Sequence, residues 1–136
     1  MAALTTLLKF IAPVPILVGL MHLVLGLQTD VLLGANVAAE LLNDPVLDSQ
    51  NRFYGAIFMG YGALIFLCTT NLRQHATLFR ILSGGVFLGG LARVVSIALH
   101  GVPSTPVLGL VAIERFGVPL LVWWHSRVLQ QGLRLG

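Results

Sequence analysis

Long apolar runs separated by short polar breaks dominate this chain. The runs cover residues 6–27, 52–70, 76–99 and 107–125. Crossing about 30 Å of hydrocarbon takes roughly 20 helical residues, so each run predicts a transmembrane helix. The breaks are turn and helix-stopping residues: Asp44-Pro45, Asn71-Leu72-Arg73-Gln74, and Gly101-Val102-Pro103-Ser104-Thr105-Pro106. Between the first two runs the pattern changes. Leu32, Leu33, Val37, Leu41 and Leu42 recur at helical spacing, with Asp30, Asn36, Glu40 and Asn43 between them. That pattern predicts an amphipathic extramembrane helix over 30–44, lying along the interface or capping the bundle. The expected fold is all-α: an integral membrane four-helix bundle forming one transmembrane domain over 1–136.

Composition strengthens the membrane reading. Hydrophobic residues make up 57% of the 136 and charged residues 10%, against about 25% charged in a soluble domain. A soluble chain of this size could not bury so much apolar surface. Lys9 precedes the bulk of the first run, as in a signal peptide, but the run is long for one and no clean A-x-A site follows it. It is read as a span. The single cysteine, Cys68, excludes an intramolecular disulfide.

The net charge of +3 comes from eight Lys and Arg against five Asp and Glu. The cations are scattered, without the patch or stripe that nucleic-acid binding uses. Their placement predicts an orientation instead. Lys9, Arg73, Arg80, Arg127 and Arg134 fall on one side, while Asp30, Glu40, Asp44 and Asp48 lie on the other, ahead of Arg52. The positive-inside rule then places both termini in the cytoplasm. In a bacterial inner membrane the acidic segment would face the periplasm.

Glycines and prolines shape the expected packing. Gly85 and Gly89 form a small-xxx-small pair in the third run, and Gly55 and Gly60 stand in the second. Such positions let helices approach closely in lipid, within one chain or between copies. Arg93 lies four residues beyond Gly89 on the same face, with Ser96 and His100 near that stripe, so Arg93 is expected to point into the bundle. Pro13 and Pro15 interrupt the first run, and Pro119 in the fourth frees the carbonyl of Arg115.

The polar residues that a membrane should exclude carry the functional expectation. They are His22, Arg52, Arg93, Glu114 and Arg115, with Asn51, Tyr54 and Ser96 nearby in sequence. Counting from the predicted span ends at about 1.5 Å per residue, Arg93 and Glu114 lie roughly 10 Å below the outer boundary, with His22 at a similar level. Arg52 opens the second run from the same side. All four spans are thus expected to bring polar groups to the outer third of the membrane. Charges at that depth need partners, and Arg93 with Glu114 is the simplest pair. It leaves Arg52, Arg115 and His22 without a protein anion, and that surplus positive charge suits an anionic or carbonyl-bearing ligand. A pair network that only fixes helix register is the alternative.

The segments Gly34-Ala35-Asn36, Asn51-Arg52-Phe53-Tyr54-Gly55-Ala56 and Gly90-Leu91-Ala92-Arg93 with Ser96, followed by Glu114, carry a family resemblance. Over nearly its whole length the chain resembles small bacterial membrane proteins grouped as domain of unknown function 4345, more distantly similar to DoxX-like bundles. The resemblance implies a four-helix membrane protein without a settled activity. It also marks Asn51, Arg52, Tyr54, Arg93 and Glu114 as positions of interest.

Three function classes remain open on these residues. The first is binding of a lipid, quinone or similar amphiphile in a polar-headed, apolar-walled pocket formed by Arg93, Glu114, Arg52, His22, Asn51, Tyr54, Arg115 and Ser96. The second is a structural or accessory subunit, docking a partner membrane protein or a second copy through Gly85 and Gly89 or through the amphipathic segment. The third is an intramembrane enzyme, with His22 as base and Glu114 as acid, or a small transporter. No nucleophile elbow or intramembrane carboxylate pair supports catalysis, and no inverted repeat supports transport. The four histidines fall at different depths and do not make a metal site by spacing. No cofactor is implied.

Overall fold

The computed structural model describes residues 2–134, with side chains to residue 130. Its described residues are helices and connecting turns, without strands. Helix α1 (Ala2–Ile11) runs into α2 (Pro13–Leu25), and a short α3 (Gln28–Leu32) follows. Next come α4 (Pro45–Cys68) and α5 (Ala76–His100), then α6 (Thr105–Ala112), a π-helical segment (Ile113–Gly117) and α7 (Val118–Arg134). Three stretches are long and apolar enough to cross a membrane: Ala2–Leu25, Ala76–His100 and Thr105–Gln130. Helix α4 is just as long, but Asp48, Gln50, Asn51 and Arg52 make its first turns polar.

The helix ends follow from local chemistry. Helix α4 starts at Pro45, two turns before the predicted residue 52, because Asp44 caps it. Its Oδ1 accepts from the amides of Val46 and Leu47, both at 2.9 Å, and proline at the first helical position loses no bond. Pro13 and Pro15 withhold two donors at the α1–α2 junction, where Ala12 keeps helical angles (φ −56°, ψ −36°). Pro119 withholds another. One residue earlier the Val118 amide reaches back five residues to the carbonyl of Ile113, the hydrogen bond of a π-bulge. That bulge carries Glu114 and Arg115.

The connector between α2 and α4 is not the amphipathic helix predicted over 30–44. Gly34 adopts φ +96°, which stops α3, and the Ala35 amide returns to the carbonyl of Asp30 at 2.8 Å. Only one 3-10 turn, Leu41–Asn43, interrupts the irregular path to Asp44. The Ser104 hydroxyl donates to the Leu33 carbonyl at 3.1 Å, which ties the connector to the turn between α5 and α6.

The helices pack as two pairs. Helices α2 and α4 make by far the most extensive contact, and α5 lies against α6, the π segment and α7. The pairs are joined at the end remote from the connector, where Leu4, Leu8, Ala12, Ile65, Cys68, Leu72, Phe79 and Leu82 form the buried core. Tyr61 donates to the Leu82 carbonyl at 3.1 Å there, and the fully buried His125 donates from Nε2 to the Leu72 carbonyl at 3.2 Å. Toward the connector end the side chains of α4 and α5 are largely uncovered: Phe53, Tyr54, Ile57, Leu88 and Val95 are all exposed. In water that surface would be a large apolar patch, whereas lipid removes its cost.

Glycine placement decides which helices touch. A Cβ on Gly55 would stand 2.7 Å from the Cβ of His22 and 2.8 Å from the Gly19 carbonyl oxygen, and one on Gly62 would stand 2.9 Å from the Ile16 amide. The α2–α4 contact is therefore backbone on backbone. Gly55 sits inside this contact, whereas Gly60, Gly85 and Gly89 have nothing among the described residues within 4 Å of a Cβ position. On α5 it is Gly90 that faces another element: a Cβ there would stand 2.9 Å from the Glu114 Cβ.

Candidate functional site

The polar residues lie toward the connector end, in two groups. The first lies between α2, α3 and α4. Arg52 donates from Nε to Asp48 Oδ2 at 2.7 Å, one helical turn back. Its Nη1 donates to the carbonyls of Leu23 and Val24 at 2.8 and 3.0 Å. Those carbonyls belong to the last turn of α2, which has no helical partner for them and carries the negative end of the helix dipole. Gly26 makes the approach possible. It takes φ +58°, and a Cβ there would meet the Asp48 carboxylate and stand 3.3 Å from Arg52 Nη2.

His22 and Asn51 complete this group around Asp30. Asn51 Nδ2 donates to Asp30 Oδ2 at 2.5 Å, and His22 Nε2 lies 3.4 Å from Asp30 Oδ1. His22 Nδ1 faces the Val18 carbonyl at 2.8 Å and so carries its hydrogen there. Arg52 and His22, expected to lack a protein anion, thus each face one, Asp48 and Asp30. A cleft of ≈ 300 Å³ opens beside them, lined by Leu25, Gln28, Leu42, Asn43, Pro45, Asp48 and Arg52.

The hydrogen bond from Arg52 holds the Asp48 carboxyl below its ordinary value of 3.8. A carboxylate whose folded value is depressed stabilises the fold above the unfolded value and loses that contribution as pH falls through the folded one. Melting midpoints should therefore drop slightly below about pH 4, and Asp48→Asn should flatten that acid limb by lowering the midpoint at pH 7 by the same small amount. Circular dichroism melts of both proteins in detergent between pH 7 and pH 2 check this. An unchanged acid limb in the variant rules out Asp48 as its source.

The second group lies between α5 and the π segment. Arg93 Nε is 3.2 Å from Glu114 Oε2, so the expected ion pair forms. Its N–H is not aimed along that line, and the buried Oε2 has no directed hydrogen bond among the described residues. The contact is coulombic, with the Glu114 side chain 15% exposed and that of Arg93 42%. Arg115 lies over the Phe87 ring, its guanidinium carbon 5.0 Å from the centroid, and its buried Nη1 meets no acceptor among the described residues. A cation over an aromatic face is attracted by the ring quadrupole but keeps its charge. Ser96 lines a small recess next to Arg93. Tyr54 is exposed, edge-on to Phe53 at 5.9 Å.

Among the described residues, no hydrogen bond or ion pair connects the two groups. The first is closed on itself by its own carboxylates. The second has two guanidinium groups against one carboxylate. Asp30, Asp48, Gly19, Gly62 and Phe87 were not among the sequence candidates, although the Asp48–Arg52 spacing of four is an ordinary helical ion-pair signal.

The model of the family described as domain of unknown function (DUF4345) matches residues 3–125. The chain belongs to this family. No curated protein and no solved structure matches it. In this member of DUF4345, the resemblance carried by Asn51, Arg52, Arg93 and Glu114 falls on residues that make side-chain polar contacts between elements.

Proposed function

We propose that this DUF4345 protein is a four-span membrane protein, α4 being the fourth span, and that it binds an amphiphile with its head at Arg93, Arg115 and Glu114. The observation that carries the reading is the unbalanced charge of the second group. An uncompensated cation at bilayer depth costs several kcal/mol, and the described residues supply one carboxylate for two arginines. Uncovered side chains supply the apolar wall: Tyr54 and Phe58 on α4 are exposed, and Gly85 and Gly89 on α5 face nothing within 4 Å among the described residues. In this reading both termini are cytoplasmic, and the site lies in the outer leaflet of the bacterial inner membrane, as the cation placement favours. The first group then serves as a clamp holding α2, α3 and α4 together, not as part of the pocket.

Native mass spectrometry of the purified full chain tests this. A copurifying lipid or small amphiphile is expected on the wild type and should be lost or reduced in Arg93→Ala. Ligand-free wild type, or identical spectra from both proteins, rejects the reading. A second reading, a subunit that docks another helix, is favoured by the open face at Gly84, Gly85 and Gly89. The same spectra distinguish it, because a ligand-free oligomer would support docking over binding.

A further inference from the structure

The recess beside Arg93 selects among the heads an amphiphile could bring. It is lined by Arg93, Ser96, Ile97, Gly101, Pro103 and Val107 and has a volume of ≈ 80 Å³. A benzene ring occupies an engineered cavity of about 150 Å³. The recess beside Arg93 is open on one side, so a quinone ring or a phosphoglycerol head would be covered only in part. A carboxylate, with three heavy atoms, fits.

The donors around the recess match the same group. Arg93 Nε lies 3.2 Å from Glu114 Oε2 in a charge contact, and neither of its Nη atoms has a hydrogen-bond partner among the described residues. Two parallel N–H groups on a planar guanidinium edge suit the two oxygens of one carboxylate. The Ser96 hydroxyl is exposed one helical turn further along α5 and adds a third donor. Charge agrees with shape. Arg93 and Arg115 against Glu114 leave one positive charge, which a single carboxylate cancels, whereas a neutral quinone or ester does not.

We propose that the recess binds the carboxylate of a long-chain monocarboxylic acid, its hydrocarbon chain leaving laterally along the open face beside Gly89 and Gly85. The inference rests on the amphiphile-binding reading above and narrows it to one head chemistry. It commits to a free fatty acid and not to an anionic phospholipid, whose head exceeds the recess.

The test uses the full chain in phosphatidylcholine nanodiscs with four probes: palmitate, methyl palmitate, a decyl-substituted benzoquinone and phosphatidylglycerol. Palmitate should saturate one site and bind at least about tenfold more tightly than its methyl ester, as expected for losing a charge-assisted pair. Ser96→Leu fills the recess without touching the Arg93–Glu114 pair and should abolish palmitate binding. The double variant Arg93→Gln/Glu114→Gln removes both members of the pair together and should erase the preference for acid over ester. Ester bound as tightly as acid, palmitate binding unaffected by Ser96→Leu, or saturable binding of quinone or phosphatidylglycerol without palmitate overturns the carboxylate assignment while leaving amphiphile binding intact. If none of the four probes binds saturably, both readings fall.

Discussion

Glu114→Gln should lower folding stability by about 2 kcal/mol, measured by unfolding in mixed micelles and followed by circular dichroism. Gln keeps the shape of Glu, so no cavity forms and the loss reports on charge. Removing one member of a buried ion pair typically costs about 3–5 kcal/mol because the other charge is left uncompensated. The lower figure allows for Arg93, whose side chain is 42% exposed and can recruit water or lipid head groups. Arg115 makes the loss worse. Its buried Nη1 already meets no acceptor among the described residues, and the variant removes the carboxylate that stands between α5 and the π segment. The double variant Arg93→Gln/Glu114→Gln should recover at least half of the loss, because replacing a pair as a whole leaves less charge unpaired. A single-variant loss below about 0.5 kcal/mol, the usual range of a surface substitution, would show that the pair contributes nothing to holding the π segment on α5.

The ion pair was readable in the sequence because depth along a helix follows from residue count alone. Arg93 and Glu114 come from spans of opposite direction and fall at one level, and only a partner of opposite charge makes that level tolerable. Depth says nothing about lateral position, however. His22 and Arg52 share the level of Arg93 but sit on the α2–α4 pair, where Asp30 and Asp48 answer them. A single cluster drawn from depth therefore separates into two in the fold. Helix α4 begins ahead of its apolar run for a related reason. Hydropathy marks where a helix becomes apolar, whereas capping marks where it begins, and Asp44-Pro45 is a cap whose helix runs two polar turns before its apolar part. Those first turns hold Asp48 and Arg52 at helical spacing, and Asp48 lies ahead of the apolar run that begins at residue 52. The connector pattern misled in the opposite direction. Leu32, Val37 and Leu41 keep a helical period, but Gly34 in the left-handed region breaks the path between them.

Glycine substitutions should separate the close contacts from the open ones by a wide margin. Gly55→Ala is expected to cost about 2 kcal/mol, within the 1–3 kcal/mol typical of overpacking, and Gly19→Ala at least as much. A methyl at residue 19 would meet the Met59 amide and stand 2.6 Å from the Gly55 carbonyl oxygen, and backbone cannot rotate aside as a long side chain can. The two helices would have to move apart, which also stretches the bonds from Arg52 to the Leu23 and Val24 carbonyls. Gly85→Ala and Gly89→Ala face nothing within 4 Å. They should change the stability of the monomer by less than about 0.5 kcal/mol, or raise it slightly through the better helix propensity of alanine. The small-xxx-small spacing in α5 would rank these positions the other way round. Spacing along one helix identifies a smooth face, but whether the face is used depends on what lies opposite. Opposite Gly55 and Gly62 the chain supplies Gly19 and the Ile16 backbone, and opposite Gly85 and Gly89 the described residues supply nothing. Equal losses at all four positions in dilute micelles would contradict this packing. Losses at 85 and 89 that appear only at high protein-to-detergent ratio would instead place a second helix on that face.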